Sequence, residues 1–132
     1  DRHWGHPHNP EYLPNGNITF FANGLFNPSQ PLHSRAIEMN PGTGEIVWQF
    51  TDPQKWTFFS PIMGCVQRLP NGNTLTIEAV YGRILEVTYD GELVWDYINP
   101  IFHPIPLFGG DANPLFRAYR YAVDSPEIGG RI

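Results

Sequence analysis

The sequence has a single cysteine among its 132 residues, no long apolar run and few positive charges. Cys65 has no second cysteine with which to form an internal disulfide, so the fold has to rest on burial and on hydrogen-bonded strands. No stretch approaches the roughly 18 apolar residues that cross a bilayer, which predicts the absence of a membrane span. Residues 1–4 do not resemble a signal peptide, and the chain is expected to begin within a longer protein or after processing.

The charge balance argues against nucleic acid as a partner. Thirteen acidic residues face eight basic ones, and the formal net charge is −5. A surface of this sign repels phosphate backbones on balance. The chain also contains 41% hydrophobic and 14% aromatic residues, which is enough to build a packed core.

Glycine and proline are abundant, with 13 and 14 residues respectively. This content is high for helices but natural for short strands joined by tight turns, so the composition predicts an all-β fold. An internal repeat supports this interpretation. The matched segments, separated by loops of unequal length, are 13–17 with 69–73, 34–38 with 82–86, and 45–50 with 92–97.

Each copy of the repeat predicts four antiparallel strands. In the second copy they cover roughly 65–69, 73–79, 83–88 and 92–97. The Leu-Pro-Asn-Gly-Asn segment predicts a hairpin with a two-residue Asn-Gly turn between the first two strands. Four strands in a repeat of about 45 residues are typical of β-propeller blades. The alternative is a meander folded into a sandwich.

The predicted organisation is therefore a β-propeller fragment of two four-stranded antiparallel blades plus a closing strand. Too little chain is present to close a propeller by itself. The expected parts are a crossover from a preceding blade (1–8), a blade (9–53) with an insertion (23–33), a second blade (54–100), and a crossover with tail (101–132) that contains the closing strand (115–121).

Antiparallel connectivity sorts the loops between the two ends of the blades. The short glycine turns fall at one end, and the long insertion and the crossovers fall at the other. All five histidines belong to the second group, as do several aromatic residues: His3, His6, His8, His33, His103, Trp4, Trp56, Phe58 and Phe59. Long loops on a rigid scaffold commonly carry binding and catalysis, which favours this end as the site. The alternative is that loops are polar for reasons unrelated to function.

Several residues have competing interpretations. The His-x-x-His-x-His run at 3–8 could bind a transition metal, but no carboxylate or thiolate completes the set, so no metal or other cofactor is expected. Trp4 and Trp56 could line a pocket for an aromatic ring or pack between blades. The repeated Trp48 and Trp95, the repeated arginines at 35 and 83, and Cys65 are interpreted as structural.

Five segments resemble the last blades of the arylsulfotransferase family. They are 8–17, 34–38, 44–48, 67–75 and 116–121, so the resemblance covers most of the chain. It implies that a channel histidine takes a sulfuryl group from an aryl sulfate and passes it to a phenol, while other histidines and an arginine bind the sulfate. It also implies a periplasmic or extracellular location.

The resemblance assigns the family's histidine to His8, five residues before the Leu of the Leu-Pro-Asn-Gly-Asn turn. The second copy has Gly64 at this place. His6, His33, His103, Trp4 and Trp56 are the predicted substrate-binding residues. Because one blade keeps the histidine and the next does not, a set of convergent histidines needs further blades. The expected partners are therefore the remaining blades of the parent chain or copies of this chain, together with an aryl sulfate or phenol.

Two functional classes remain open at this point. The first is an enzyme, or the C-terminal part of one, that performs sulfuryl transfer. The second is a non-catalytic propeller module for binding or self-assembly into a ring or filament. Channel-facing histidines in preceding blades would favour the first class.

Overall fold

The structure is a computed structural model, and it describes residues 4–25, 30–129 and 131. His3 and the side chain of Trp56 lie outside the described part of the chain. The described residues form two four-stranded antiparallel sheets in which the strands follow one another in chain order. The first blade contains β1 (Pro7–Tyr12), β2 (Ile18–Ala22), β3 (Arg35–Met39) and β4 (Ile46–Phe50). The second contains β5 (Val66–Arg68), β6 (Thr74–Glu78), β7 (Arg83–Val87) and β8 (Leu93–Ile98).

The remaining regular structure is short. β9 (His103–Ile105) and β10 (Gly110–Ala112) form a two-stranded antiparallel sheet within the predicted C-terminal crossover. Three-residue 3₁₀ turns cover Lys55–Thr57, Ala79–Tyr81 and Pro106–Phe108. The all-β prediction of a propeller fragment with two four-stranded antiparallel blades is confirmed. Trp48 and Trp95 occupy matching fourth strands, opposite Glu38 and Glu86.

The hairpin turn after β1 is longer than the predicted two-residue turn. Leu13 N–H donates to the Asn17 carbonyl at 2.8 Å and Gly16 N–H to the Leu13 carbonyl at 2.9 Å, which encloses three loop residues. Only Gly16 takes a left-handed conformation, at φ 84°. This is the three-residue hairpin with glycine in the left-handed position. The same hydrogen bonds recur in the second blade between Leu69, Gly72 and Asn73.

The main hydrophobic core lies between the two blades. The first blade contributes Phe21, Ala36, Trp48 and Phe50, and the second contributes Val66, Leu85 and Val87. Phe58, from the crossover, packs its ring against those of Phe21 and Phe50 at centroid distances of 5.8 and 5.2 Å. The alternation of side chains along the strands explains this arrangement, because every second residue faces the neighbouring blade.

A polar contact at the edge of this core also joins the blades. Glu38 accepts hydrogen bonds from Asn15 and Asn17 at 3.1 and 2.7 Å, and its second oxygen accepts one from Arg68 at 2.9 Å. The Arg68 guanidinium lies over the Trp48 ring, 4.4 Å from its centroid. We call this group the latch, because it connects the β1–β2 turn of the first blade to β5, the first strand of the second blade.

The latch has a counterpart on the far face of the second blade. There Glu86 accepts hydrogen bonds from Asn71 and Asn73, and it pairs with Arg120. The Arg120 guanidinium lies 4.7 Å from the centroid of the Trp95 ring. Arg120 thus holds the C-terminal segment, residues 115–121, where the first strand of a third blade would lie.

The C-terminal segment is not a regular strand, in contrast to the predicted closing strand at 115–121. Leu115 N–H donates to the Ala79 carbonyl at 2.9 Å, but further along the segment the described backbone bonds go to the side chains of Gln67 in β5 and of Cys65, directly before β5. Gln67 accepts from Arg120 N–H at 2.8 Å and donates to its carbonyl at 3.0 Å. Cys65 Sγ makes the same pair of contacts with Ala118, at 3.3 and 3.4 Å. The Tyr119 hydroxyl also donates to Glu11 of β1 at 3.2 Å.

Within the described residues, no helix is long and apolar enough to cross a membrane.

Candidate functional site

The two ends of the blades differ in the way the sequence predicts. Because the strands are antiparallel and ordered along the chain, the β1–β2 and β3–β4 turns share one end of the first blade. The β2–β3 loop and the crossover to the second blade share the other, which we call the loop end. His8 lies at the loop end, near the start of β1.

His8 is held through one ring nitrogen. Its Nδ1 lies 2.7 Å from Asn23 Oδ1 and 3.1 Å from the His6 carbonyl oxygen. The approach to β1 is tightly turned, since His6 adopts a left-handed φ of 68°. The pairing of β1 with β2 is irregular between His8 and Glu11, so His8 sits at a distortion of the strand. The imidazole is partly exposed.

Asn23 follows β2 directly and is completely buried. Its Nδ2 donates to two backbone carbonyls of the crossover, at 2.6 Å to Ser60 and 2.7 Å to Met63. The Ser34 hydroxyl donates to the Asn23 carbonyl at 3.2 Å. Ser34 N–H donates to the Phe58 carbonyl at 2.9 Å. The β2–β3 loop and the crossover are thereby fixed to each other directly behind His8.

The glycine that replaces the histidine in the second blade has a physical explanation. Gly64 has φ 130°, and a Cβ atom there would lie 2.3 Å from Cδ1 of Phe21. The Phe21 ring belongs to the core between the blades, so it cannot withdraw without opening that core. Packing therefore excludes a histidine at this position of the second blade.

Within the described residues, the side chains of His33 and His103 make no hydrogen bond with His8. His33 is buried, and its Nδ1 lies 2.7 Å from the Pro31 carbonyl oxygen. His103 is exposed and pairs with Ala112 in the small sheet. His6 is exposed and touches His8 through its backbone carbonyl. No group of three or more His, Cys, Asp or Glu residues suited to a metal ion occurs within residues 4–25, 30–129 and 131.

Trp4 packs on the face of the first blade that points away from the second blade. Its ring meets Phe20 edge to face at 5.3 Å, and Arg35 lies over it at 5.5 Å. It lines a shallow apolar cavity of about 240 Å³, together with Ile18 and Met39 among others.

A larger cavity, of about 450 Å³, lies at the loop end of the second blade, where the β6–β7 connection and the two crossovers meet. Its lining includes three aromatic side chains and one carboxylate: Tyr81, Phe102, Phe108 and Asp111. None of the predicted site residues whose side chains the structure describes lines it. The available signal was the position of Tyr81 in the short connection that follows β6, which is equivalent to the 23–33 insertion.

Two buried ionisable groups near these loops serve the fold. Burial raises the pKa of Glu78, although the Phe59 N–H and Arg83, at 3.0 and 3.2 Å, oppose the rise. Arg83 also pairs with Asp96, as expected for a structural arginine. Burial raises the pKa of the Cys65 thiol to about 11, against a smaller opposing effect of its hydrogen bond with Ala118. Cys65 is therefore a poor nucleophile in the folded chain.

Comparison with known proteins identifies one family. The model of the family described as "Arylsulfotransferase (ASST)" matches residues 1–100, which is most of the chain and includes both blades. No curated protein and no solved structure matches the chain significantly.

Proposed function

The chain belongs to the arylsulfotransferase family, and we propose that it takes part in sulfuryl transfer from an aryl sulfate to a phenolic acceptor, with His8 as the nucleophile. The observation that carries the assignment to His8 is its position. It lies at the loop end, at a distortion of β1, and is held by the buried Asn23 through one ring nitrogen only. The family membership supports the reaction class, and the geometry supports the residue.

The reaction has two displacement steps on sulfur. In the first, an imidazole nitrogen lone pair forms an N–S bond while the S–O bond to the aryl group breaks and the phenolate leaves. In the second, the oxygen of the acceptor phenol forms an S–O bond, the N–S bond breaks, and the phenolic proton passes to solvent or to a base. Cationic or N–H groups around the sulfuryl oxygens would lower both barriers.

The proposed substrate-binding residues are His6, His33, His103, Trp4 and Trp56. His33 and His103 lie in or beside the loop-end connections, and His6 precedes His8 on the same turn. The aromatic cavity of Tyr81, Phe102 and Phe108 is a further candidate for the aryl ring, since flat apolar walls and a few polar groups suit such a ligand. The proposed location is periplasmic or extracellular, following the family.

The test is transfer from para-nitrophenyl sulfate to phenol, measured with the protein in the form that contains its neighbouring blades. His8→Ala should lower kcat by at least about 100-fold, because the covalent route is lost. Incubation with donor alone should add the mass of one sulfuryl group to the wild-type peptide that contains His8.

Tyr12→Ala is the matched control for this experiment. Tyr12 is an exposed residue of the same strand at the opposite end from His8, and its replacement should leave kcat unchanged. Unchanged turnover in folded His8→Ala would contradict the nucleophilic role of His8.

A further inference from the structure

We propose that Asn23 is a positioning residue that holds His8 with its proton on Nδ1 and its lone pair on Nε2. This inference rests on the proposed role of His8 in sulfuryl transfer. It concerns the orientation and protonation of the imidazole, which the choice of nucleophile alone does not determine.

The first step is the orientation of the Asn23 amide. One terminal atom of its side chain lies 2.6 and 2.7 Å from the carbonyl oxygens of Ser60 and Met63. Carbonyl oxygens only accept, so this atom has to be the NH₂ nitrogen. The flipped amide would bring its oxygen against two carbonyl oxygens in a fully buried site, and would leave the Ser60 carbonyl with only the Ser34 hydroxyl as a donor, at 3.3 Å. The atom that faces His8 is therefore the Asn23 amide oxygen.

The second step is the tautomer of His8. Its Nδ1 lies 2.7 Å from this amide oxygen and 3.1 Å from the His6 carbonyl oxygen. Both partners are acceptors, so Nδ1 has to carry a hydrogen. In the neutral ring the remaining nitrogen, Nε2, then has the lone pair. Both acceptors therefore require the tautomer in which Nε2 is the nucleophilic atom.

The third step concerns charge. When Nε2 bonds to sulfur, the ring becomes cationic and its Nδ1–H becomes a stronger donor. The Asn23 amide oxygen and the His6 carbonyl stabilise this positive charge as neutral dipoles, without taking the proton. The ring therefore keeps the same proton through both displacements, and no separate base is needed on this side of His8.

The rigidity of Asn23 comes from its contacts behind the imidazole. Both of its amide hydrogens bond the crossover between the blades, and Ser34 binds its backbone carbonyl. Its amide can rotate only by breaking buried hydrogen bonds. The orientation of His8 on the first blade is consequently set by the chain that leads to the second.

The direct test is nitrogen NMR of the full protein with ¹⁵N-labelled histidine, at an alkaline pH that leaves imidazole neutral. The chemical shifts and couplings of the two ring nitrogens of His8 should show hydrogen on Nδ1. Hydrogen on Nε2 in the wild-type protein would overturn the proposal. This readout does not depend on activity.

Variants of Asn23 test the consequence for catalysis. Asn23→Leu should increase the Nε2–H tautomer of His8 and lower kcat by about 10- to 100-fold or more, the lower bound being the range for residues that orient metal-bound histidines, with little change in KM. Asn23→Asp keeps an acceptor for Nδ1, and should retain the Nδ1–H tautomer if it folds. An unaltered tautomer and kcat in folded Asn23→Leu would contradict the proposal.

Asn113→Leu is the matched control. Asn113 is another buried asparagine of the loop region, and its described hydrogen bonds go to Asn99, whose backbone carbonyl accepts from its amide at 2.7 Å. Its replacement should lower stability but leave the His8 tautomer unchanged. If the tautomer is as proposed and His8→Ala retains activity, the function proposed for His8 fails while the role of Asn23 in its tautomer stands.

Discussion

Glu38 and Glu86 occupy matching places in the two blades and show what a single buried carboxylate does in this fold. Each accepts hydrogen bonds from the two asparagines of its own turn and pairs with an arginine of the following chain. Burial on its own would raise the pKa of Glu38, but the hydrogen bonds from Asn17, Asn15 and Arg68 together lower it below its ordinary value of 4.5. The ionised form is therefore the one that the folded chain stabilises.

The lowered pKa of Glu38 gives a pH-dependent contribution to stability. A carboxyl whose pKa is depressed by folding stabilises the native state above its unfolded pKa, and the contribution is lost as the pH falls through its folded pKa, below 4.5. Glu38→Gln should lower the free energy of unfolding by about 2–3 kcal/mol at pH 7, since a buried charged acceptor is removed. Urea unfolding at pH 7 and pH 3 should show this difference shrinking at the lower pH.

Glu45→Gln is the control for the titration of Glu38. Glu45 is an exposed glutamate of the same blade, and its replacement should change the free energy of unfolding by less than about 0.5 kcal/mol at either pH. Equal destabilisation by Glu38→Gln at pH 7 and pH 3 would show that ionisation of Glu38 is not the source of its contribution.

At the scale of elements, the C-terminal segment is attached mainly through side chains. Its attachment can therefore be tested by replacing a single residue, Arg120. Arg120 joins it to Glu86 and Trp95, and the segment lies against Cys65. Arg120→Ala removes charge-assisted bonds of about 1.5–3 kcal/mol. The population of the open state of the segment should therefore rise by roughly tenfold or more. The measurement is the rate at which a thiol reagent labels Cys65, which is buried in the closed state.

Arg117→Ala is the control for the release of the segment. Arg117 is an exposed arginine of the same segment, and its guanidinium lies over the neighbouring Phe116 ring at 5.5 Å. Its replacement should not speed the labelling of Cys65, because the segment stays closed and the lost Arg117 charge, which lowers the pKa of the Cys65 thiol, can only slow the reaction. Equal labelling of Arg120→Ala and wild type would mean that Arg120 does not hold the segment in place.

The elements show which parts of the structure are accessible from sequence. Alternating apolar residues and the Asn-Gly turns predicted four strands in each blade, and the bounds predicted for the second blade lie within one residue of the observed ones. They could not predict the turn length, because Asn-Gly suits both two- and three-residue hairpins and the bonds from Asn15 and Asn17 to Glu38 are tertiary. The strand predicted at 115–121 differs for the same reason, since Gln67 and Cys65 take its backbone bonds.

Only part of the candidate site could likewise be predicted from the sequence. His8 was accessible through its spacing from a turn motif that the resemblance supplied. Asn23 was missed, because an asparagine in a loop insertion carries no chemical signal of its own. Only the folding of the β2–β3 loop against the crossover brings it to His8. A close reading of residues just after β2 could have suggested a loop anchor, but not its partner.

At the scale of the whole molecule, the two blades provide a direct comparison between a covered and an uncovered face. Trp48 and Phe50 of β4 are 7% and 5% exposed beneath the second blade, whereas Trp95 and Tyr97, which match them on β8, are 40% and 44% exposed. Leu85 and Val87 of β7 belong to the core that covers β4. The C-terminal segment supplies Ala118 against the inner part of the far face, and over its outer strand it supplies the Arg120 guanidinium above the Trp95 ring.

We propose that the far face of the second blade packs against further blades, either of a longer parent chain or of copies of this chain. Apolar surface that stays in water loses the roughly 25 cal/mol per Å² of stabilisation that its burial would give. This loss is large compared with the small free energy of unfolding of a small domain. Alone in solution, the 132-residue chain should therefore associate, and light scattering should give a mass above that of the monomer. Tyr97→Lys should lower this mass, because it places a charge on the exposed face of β8 that the contact would cover.

Leu107→Lys is the control for this experiment, since Leu107 is an exposed apolar residue of the C-terminal crossover and not of the β8 face. It should leave the association unchanged. A head-to-tail contact is expected, because the two faces of a blade differ and each can only meet the opposite face of its neighbour. A soluble, monodisperse monomer with a cooperative melt would contradict the proposal, and would mean that the exposed face of β8 costs the isolated chain little.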